Sequence, residues 1–226
     1  METKLNPNQI SGGAGGALVG ELYIDDLRQL GGMSSWVELS PDNPTAVKCN
    51  NNAEYIVAFR KPFSNDGMLF TVENVVALHY NVGGFLESYN WGTGQNDVVM
   101  NTGLGDYSDD DPIRLRCVVN GTTRTWYYDV NGAWVALTHD EGGTMVASSF
   151  TDTGIDTAST AANILLNNPY YDNPCTCKFC FSAFRITDNG HTVFDGSKAV
   201  KGVDYQTYKK DGENTVPAVI RLTHYL

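Results

Sequence analysis

Along residues 54–63, EYIVAFRKPF, side chains alternate: Tyr55, Val57 and Phe59 fall on one side, and Ile56, Ala58 and Arg60 on the other. A period of two is what a β-strand buried on at least one face requires. Residues 67–91, GMLFTVENVVALHYNVGGFLESYNW, read as three short strands with turns near Glu73-Asn74 and Val82-Gly83-Gly84. The clearest stretch is 113–137, IRLRCVVNGTTRTWYYDVNGAWVAL, which two Asn-Gly pairs interrupt, Asn120-Gly121 and Asn131-Gly132. Asn-Gly accepts positive φ at both central positions of a tight turn, so each pair predicts a hairpin. ANILLNNPYY and KFCFSAFRIT add further strands, and PAVIRLTHYL is expected to close the chain as a last one. Helical spacing is confined to GELYIDDLRQLGG (20–32), where Leu22, Leu27 and Leu30 form a rough stripe before a Gly-Gly stop. Many short strands with frequent turn signals predict a sandwich or barrel.

Residues 1 to about 20 differ from this pattern. NPNQISGGAGGALVG is rich in Gly and Asn and has no period, so by itself it buries little apolar surface. The division that follows is an arm over 1–32, with a possible short helix, and a β-sandwich over 33–226. Ile10, Leu18 and Val19 give that arm small apolar handles for docking onto a partner.

Composition sharpens the picture in three places. The chain has 226 residues, enough to bury a full core, and Gly (23) and Tyr (12) suit strands joined by tight turns. Its formal net charge is -11, which repels phosphate backbones and anionic membranes and argues against nucleic-acid binding. The N-terminus lacks a basic region followed by a long apolar stretch, so no signal peptide or membrane insertion is expected. An odd count of five cysteines fits synthesis in a reducing compartment.

The order of these segments resembles the concanavalin A-like (laminin-G-like) jelly roll. The residues that carry the likeness are the EYIVAF strand, the IRLRCVVNGTTRTWYYDVNGAWV double hairpin, NILLNN and KFCFSAFRITDNGHTVFDG, over roughly residues 45–195. Ile164, Leu165 and Leu166 match the penultimate strand, and Phe184, Arg185 and Ile186 the closing one. The resemblance implies an all-β, two-sheet antiparallel jelly-roll sandwich and transfers no chemistry. ITDNGHTVFDGSKAVKGVDYQTY is also similar to the closing segments of modules on bacteriophage capsid and tail fibres, which often follow a short anchoring arm.

Four constellations could carry function. ESYNWGTGQND (87–97) sets Tyr89 and Trp91 among Asn90, Gln95, Asn96 and Asp97. Aromatic rings stack on the apolar face of a pyranose while amides and carboxylates bind its hydroxyls, so this set predicts a sugar site; the alternative is a core Trp in an ordinary turn. NPYYDNP adds Tyr170 and Tyr171 between two prolines. GDYSDDDP concentrates Asp106, Asp109, Asp110 and Asp111, oxygen donors that Ca2+ could use, although a solvated turn guarding a strand edge is the preferred reading. Cys175, Cys177 and Cys180 offer one C-x2-C, but in an extended strand Cys177 and Cys180 face opposite ways, so strand and loop thiols are preferred over a metal knuckle. Asn120-Gly121-Thr122 forms a glycosylation sequon, read here as a hairpin turn.

Hydrolysis of a glycoside needs two carboxylates facing one groove. Glu54, Glu73, Glu87 and Glu141 have no acidic partner two residues away, Glu213 has Asp211 alone, and no G-x-S-x-G, P-loop or H-E-x-x-H is present. The expectation is therefore a non-enzymatic virion protein. It would dock through its arm to other virion proteins, adhere to a host-surface glycan, and form a homo-oligomer, such as a trimer, for avidity. The alternatives are a free Ca2+-dependent lectin and, less favoured, a glycan-cleaving enzyme.

Overall fold

The computed structural model describes residues 22–24, 37–39, 51–60, 67–72, 74–81, 83–101, 112–155, 164–166, 178–198, 205–211, 214–220 and 223–224. In chain order the strands are β1 (Leu22–Ile24), β2 (Val37–Leu39), β3 (Asn51–Arg60), β4 (Gly67–Val72), β5 (Val76–Asn81), β6 (Phe85–Asn90) and β7 (Gln95–Met100). There follow β8 (Ile113–Asn120), β9 (Thr123–Val130), β10 (Ala133–Ala136), β11 (Thr138–Glu141), β12 (Thr144–Ala147) and β13 (Ser149–Thr151). The remainder are β14 (Ile164–Leu166), β15 (Lys178–Cys180), β16 (Arg185–Asp188), β17 (His191–Asp195), β18 (Tyr205–Asp211), β19 (Asn214–Ile220) and β20 (Thr223–His224).

Two antiparallel sheets result. The first, sheet A, runs β10-β9-β8-β3-β15-β1-β20, with β13 beside β9 and β16 pairing both β3 and β17. The second, sheet B, runs β19-β18-β2-β14-β4-β5-β6-β7, and β11 and β12 form a separate hairpin. The fold is all-β and a two-sheet sandwich, as the alternation predicted.

Period-two alternation decides what lies between the sheets. Sheet A turns Tyr55, Val57, Phe59, Leu115, Cys117, Val119 and Trp126 inward, all fully buried. Sheet B answers with Phe70, Val72, Val76, Leu78, Leu86 and Val99 in the same apolar cluster. Rings bridge the gap: Tyr55 and Phe70 lie 6.4 Å apart by centroid, and Phe70 and Phe184 5.7 Å. Each such side chain buried is worth about 1.5–3 kcal/mol, which makes this layer the main source of stability.

The turns follow backbone chemistry closely. Asn131 and Gly132 have φ of 56° and 82° and form the two-residue loop between β9 and β10 expected of Asn-Gly. The earlier hairpin is shifted by one residue: Asn120 pairs with Thr123, so the loop is Gly121-Thr122, with Gly121 at φ 58°. A third Asn-Gly, Asn189-Gly190, closes β16 onto β17 with φ of 48° and 78°.

Three expectations are corrected. Leu22–Ile24 are not helical: they form β1, which pairs with β15 and β20 inside sheet A. KFCFSAFRIT is not one strand, because a 3-10 turn at Phe181–Ala183 separates β15 from β16. Gly196 packs so tightly beneath that turn that a Cβ there would meet the Phe181 carbonyl oxygen at 1.8 Å. The closing segment likewise divides, with β19 in sheet B and β20 in sheet A.

Candidate functional site

The hairpin β6–β7 carries the sugar-binding set expected from the sequence. Alternation sorts its members onto two faces. Ser88 and Asn90 point between the sheets, while Glu87 and Tyr89 lie on the outer face of sheet B, opposite Val98 and Asn96 on β7.

The inward half is anchored to a buried arginine. Arg124 of β9 is fully enclosed, and its guanidinium lies 3.2 Å from Asp97 Oδ2 and 3.2 Å from Asp152 Oδ2. It also donates to Ser88 Oγ at 2.6 Å and to the Tyr89 carbonyl. Burial pulls this guanidinium below its ordinary value, opposed by the Cys117 sulfur and the carboxylates of Asp152 and Asp97. Asp152, itself fully buried, accepts from the backbone N–H groups of Trp91 (2.9 Å), Gly92 (2.8 Å) and Gly154 (2.9 Å). A carboxylate satisfied by several N–H donors and one cation is well compensated for its loss of water.

Asn90 completes the clamp. Its amide nitrogen donates to Asp97 Oδ2 at 3.0 Å and to the Thr151 carbonyl at 3.2 Å, and its amide oxygen accepts from Gly92 and Thr93 N–H at 3.1 Å each. A Cβ on Gly154 would sit 2.4 Å from Gly92 N, so the turn at 91–94 rests directly on the 152–155 loop. The polar atoms of Asn90 and the carboxylate of Asp97 are thus engaged in holding the loop.

The members with surface are Tyr89 and Asn96 on the outer face, Gln95 opposite the inward Asn90, and Trp91 in the turn between the strands. Tyr89 and Trp91 meet edge to face with centroids 5.4 Å apart, and the Arg124 guanidinium lies 5.9 Å from the Trp91 ring centre. Beside them is a pair that reading the carboxylates one by one misses. Glu87 Oε2 accepts from Asn96 Nδ2 at 3.0 Å and lies 3.2 Å from His79 Nδ1. His79 and Glu87 are direct cross-strand partners on β5 and β6. The Val82-Gly83-Gly84 turn, legible in the sequence, is the signal that could have placed residues eight apart opposite one another.

The remaining expected site residues fall elsewhere. Tyr170, Tyr171, Asp106, Asp109, Asp110, Asp111, Cys175 and Cys177 lie outside the described residues, as does any Ca2+ site they would build. Cys180 is buried beside Ala58, with its sulfur 3.6 Å from Ser182 Oγ.

No protein-family model matches the chain, and no curated protein matches it. Several solved structures do. A xylan β-1,4-xylosidase from Bacillus halodurans is 13% identical with a TM-score of 0.39, over 60% of this chain and 27% of that one. A mutant of the GH43 protein BlXynB from Bacillus licheniformis is 12% identical with a TM-score of 0.33, over 56% and 26%. An alginate lyase from Corynebacterium sp. is 14% identical with a TM-score of 0.33, over 68% and 61%. The chain spans about a quarter of the two Bacillus proteins and about three fifths of the lyase. One expectation is corrected by this finding: two of the three are named as enzymes and the third as a GH43 protein, so the absence of catalysis does not stand as a reading of this chain.

Proposed function

We propose that the protein is a carbohydrate-binding β-sandwich whose sugar rests against Tyr89 and Trp91, with Asn96 and Glu87 as partners for its hydroxyls. The observation that carries the reading is the juxtaposition on one sheet edge of a fixed ring pair, 5.4 Å apart, and an amide–carboxylate pair, 3.0 Å apart. Rings present apolar area to the C–H face of a pyranose at little entropic cost, since the Arg124 clamp already holds their backbone. Both bonds to Glu87 fall on Oε2; the residue is 8% exposed, and Oε1 is the atom that a ligand hydroxyl would have to reach.

A second reading is favoured by the contact between His79 and Glu87: a histidine–carboxylate pair beside a bound sugar is equipped to move a proton. It adds turnover to the same site and needs no second location.

A glycan array with the full chain, with Ca2+ and with chelator, tests the first reading, followed by calorimetry on any glycan retained. Trp91→Ala should weaken binding about tenfold, or ~1.4 kcal/mol, and Asn96→Ala by less, both at an unchanged melting temperature. Binding that ignores both substitutions removes the ring pair as the site. If a bound polysaccharide is also cleaved, Glu87→Gln should stop turnover while keeping affinity; cleavage that persists in that variant ends the second reading.

A further inference from the structure

The outer face of sheet A carries a different kind of surface. Cross-strand pairing sets Arg185 of β16, Ile56 of β3, Arg116 of β8 and Tyr127 of β9 in one row. The next row holds Thr187, Glu54, Val118 and Thr125. At the β3–β16 end of these rows lies a cavity of about 250 Å³ lined by Asn52, Glu54, Ile56, Arg185, Thr187 and Gly190.

Local backbone irregularities shape this cavity. The β3–β8 register slips between Asn51 and Ala53, and Asn52 is left with φ of 59°. The β16–β17 register slips between Ile186 and Thr187. A bulge leaves one residue unpaired and bends its strand, which re-aims side chains, and here one bulge lies on each side of the cavity. Gly190, at φ 78°, has nothing within 4 Å of the position a Cβ would take, so the mouth is open there.

The charges are unevenly committed. Glu54 is ion-paired to Arg116, whose guanidinium lies 5.5 Å from the Tyr127 ring centre. Arg185 is exposed, and its bond among the described residues is to Thr192 Oγ1, at 3.3 Å. Its cross-strand neighbour Asp195 accepts from Ser197 N–H at 3.1 Å and Ser197 Oγ at 2.5 Å. The cavity therefore presents one guanidinium with no acidic partner among the described residues, a hydroxyl, an amide, a neutralised carboxylate and an apolar floor.

We infer that this cavity binds a small hydroxylated monocarboxylate of the size of a single sugar acid, its carboxylate on Arg185 and its hydroxyls on Thr187, Asn52 and Glu54. A guanidinium fork matches a carboxylate in two parallel hydrogen bonds. The volume lies just below the ~300 Å³ at which sites for larger ligands begin, which suits a single ring. A single guanidinium, with Glu54 already paired to Arg116, matches one carboxylate and leaves the second charge of a dianion without a partner. The site is on the other sheet from Tyr89 and Trp91 and stands whether or not those rings hold a sugar.

The test is an NMR titration of the full chain with glucuronate, glucose and inorganic phosphate, following the Arg185 Nε–H resonance and the amides of 52–56 and 185–190. Glucuronate should shift these signals saturably, with weaker binding at raised salt, while glucose and phosphate leave them in place. Arg185→Ala, an exposed change, should weaken glucuronate at least about tenfold, and Trp91→Ala should leave it unaltered. No shift with glucuronate, an equal shift with glucose or phosphate, or undiminished binding in Arg185→Ala would each overturn the inference.

Discussion

Arg116 and Arg124 stand on neighbouring strands of one sheet, and their surroundings are opposites. Arg124 points inward and is fully enclosed; its guanidinium meets Asp97, Asp152, Ser88 and a backbone carbonyl, and only Nε lacks a partner among the described residues. Arg116 points outward with a side chain 24% exposed, its Nε likewise without a partner among the described residues; it is set over the Tyr127 ring and paired to a Glu54 whose side chain is 37% exposed. The same residue type therefore serves as a clamp on one face and as part of an open recognition surface on the other. What differs is water: an enclosed charge must find its partners within the protein, whereas a partly exposed one keeps part of its hydration beside its partner.

Breaking the inward arginine has the largest expected effect. Arg124→Met removes the cation but leaves Asp152 fully buried, so unfolding free energy should fall by about 3–5 kcal/mol, as for other broken buried pairs. Urea unfolding followed by tryptophan fluorescence measures this, and adding Asp152→Asn to the same chain should recover part of the loss. A loss within ~1 kcal/mol of the parent would mean that the 90–97 loop is held by its backbone bonds alone.

The sequence shows why half of this comparison was legible and half was not. Alternation in EYIVAF and IRLRCVV assigns the inner and outer faces of β3 and β8 correctly, because one apolar side per strand suffices to seat them in a sandwich. The turn residues placed most hairpins, and the slip at Gly121-Thr122 arises because Asn-Gly alone does not fix which two residues stay unpaired. By contrast, TRTWYYDV gives no hint that Arg124 is enclosed, since its partners Asp97 and Asp152 lie 27 and 28 positions away in sequence. Asn90, Trp91 and Asp97 were recognisable as a polar-aromatic loop. That Asn90 and Asp97 face the core depends on the register of β6 against β7, which a single strand cannot reveal. The His79–Glu87 pair was hidden for the same reason, and β1 read as helical because a Leu stripe of few residues fits either period.

A smaller effect isolates the electrostatics of the inner face. Burial pushes the Cys117 thiol up to about 12, against an opposing pull from Arg124. Below the ordinary thiol value of 9.0 the native and unfolded chains both hold this proton. Between that value and about 12 the unfolded chain has released it and the native chain has not, so stability declines as pH rises through the window. The loss should be on the order of 1 kcal/mol by pH 10. Burial raises the half-buried Tyr128 hydroxyl in the same sense, so the contribution of Cys117 is read as a difference. Unfolding free energies of the parent and of Cys117→Ala, measured from pH 8 to pH 11, should converge as pH rises. Parallel curves would mean that the thiol titrates as freely in the fold as outside it.

The outward arginine should yield the smallest change. Arg116→Ala breaks an ion pair whose carboxylate partner is 37% exposed, and exposed pairs are worth about 0.2–1 kcal/mol. Some packing on Tyr127 is lost with it, since an arginine stem covers apolar surface as well as carrying charge. Urea unfolding should therefore place Arg116→Ala within ~1 kcal/mol of the parent, several-fold less affected than Arg124→Met. The contrast should reverse with salt: raising it screens the Glu54 pair and shrinks the Arg116 effect towards zero, while the enclosed pairs of Arg124 are shielded from counter-ions and keep theirs. Were Arg116→Ala to cost as much as Arg124→Met at every salt concentration, the outer face of sheet A would be an interior surface, and the division between clamp and open recognition face would collapse.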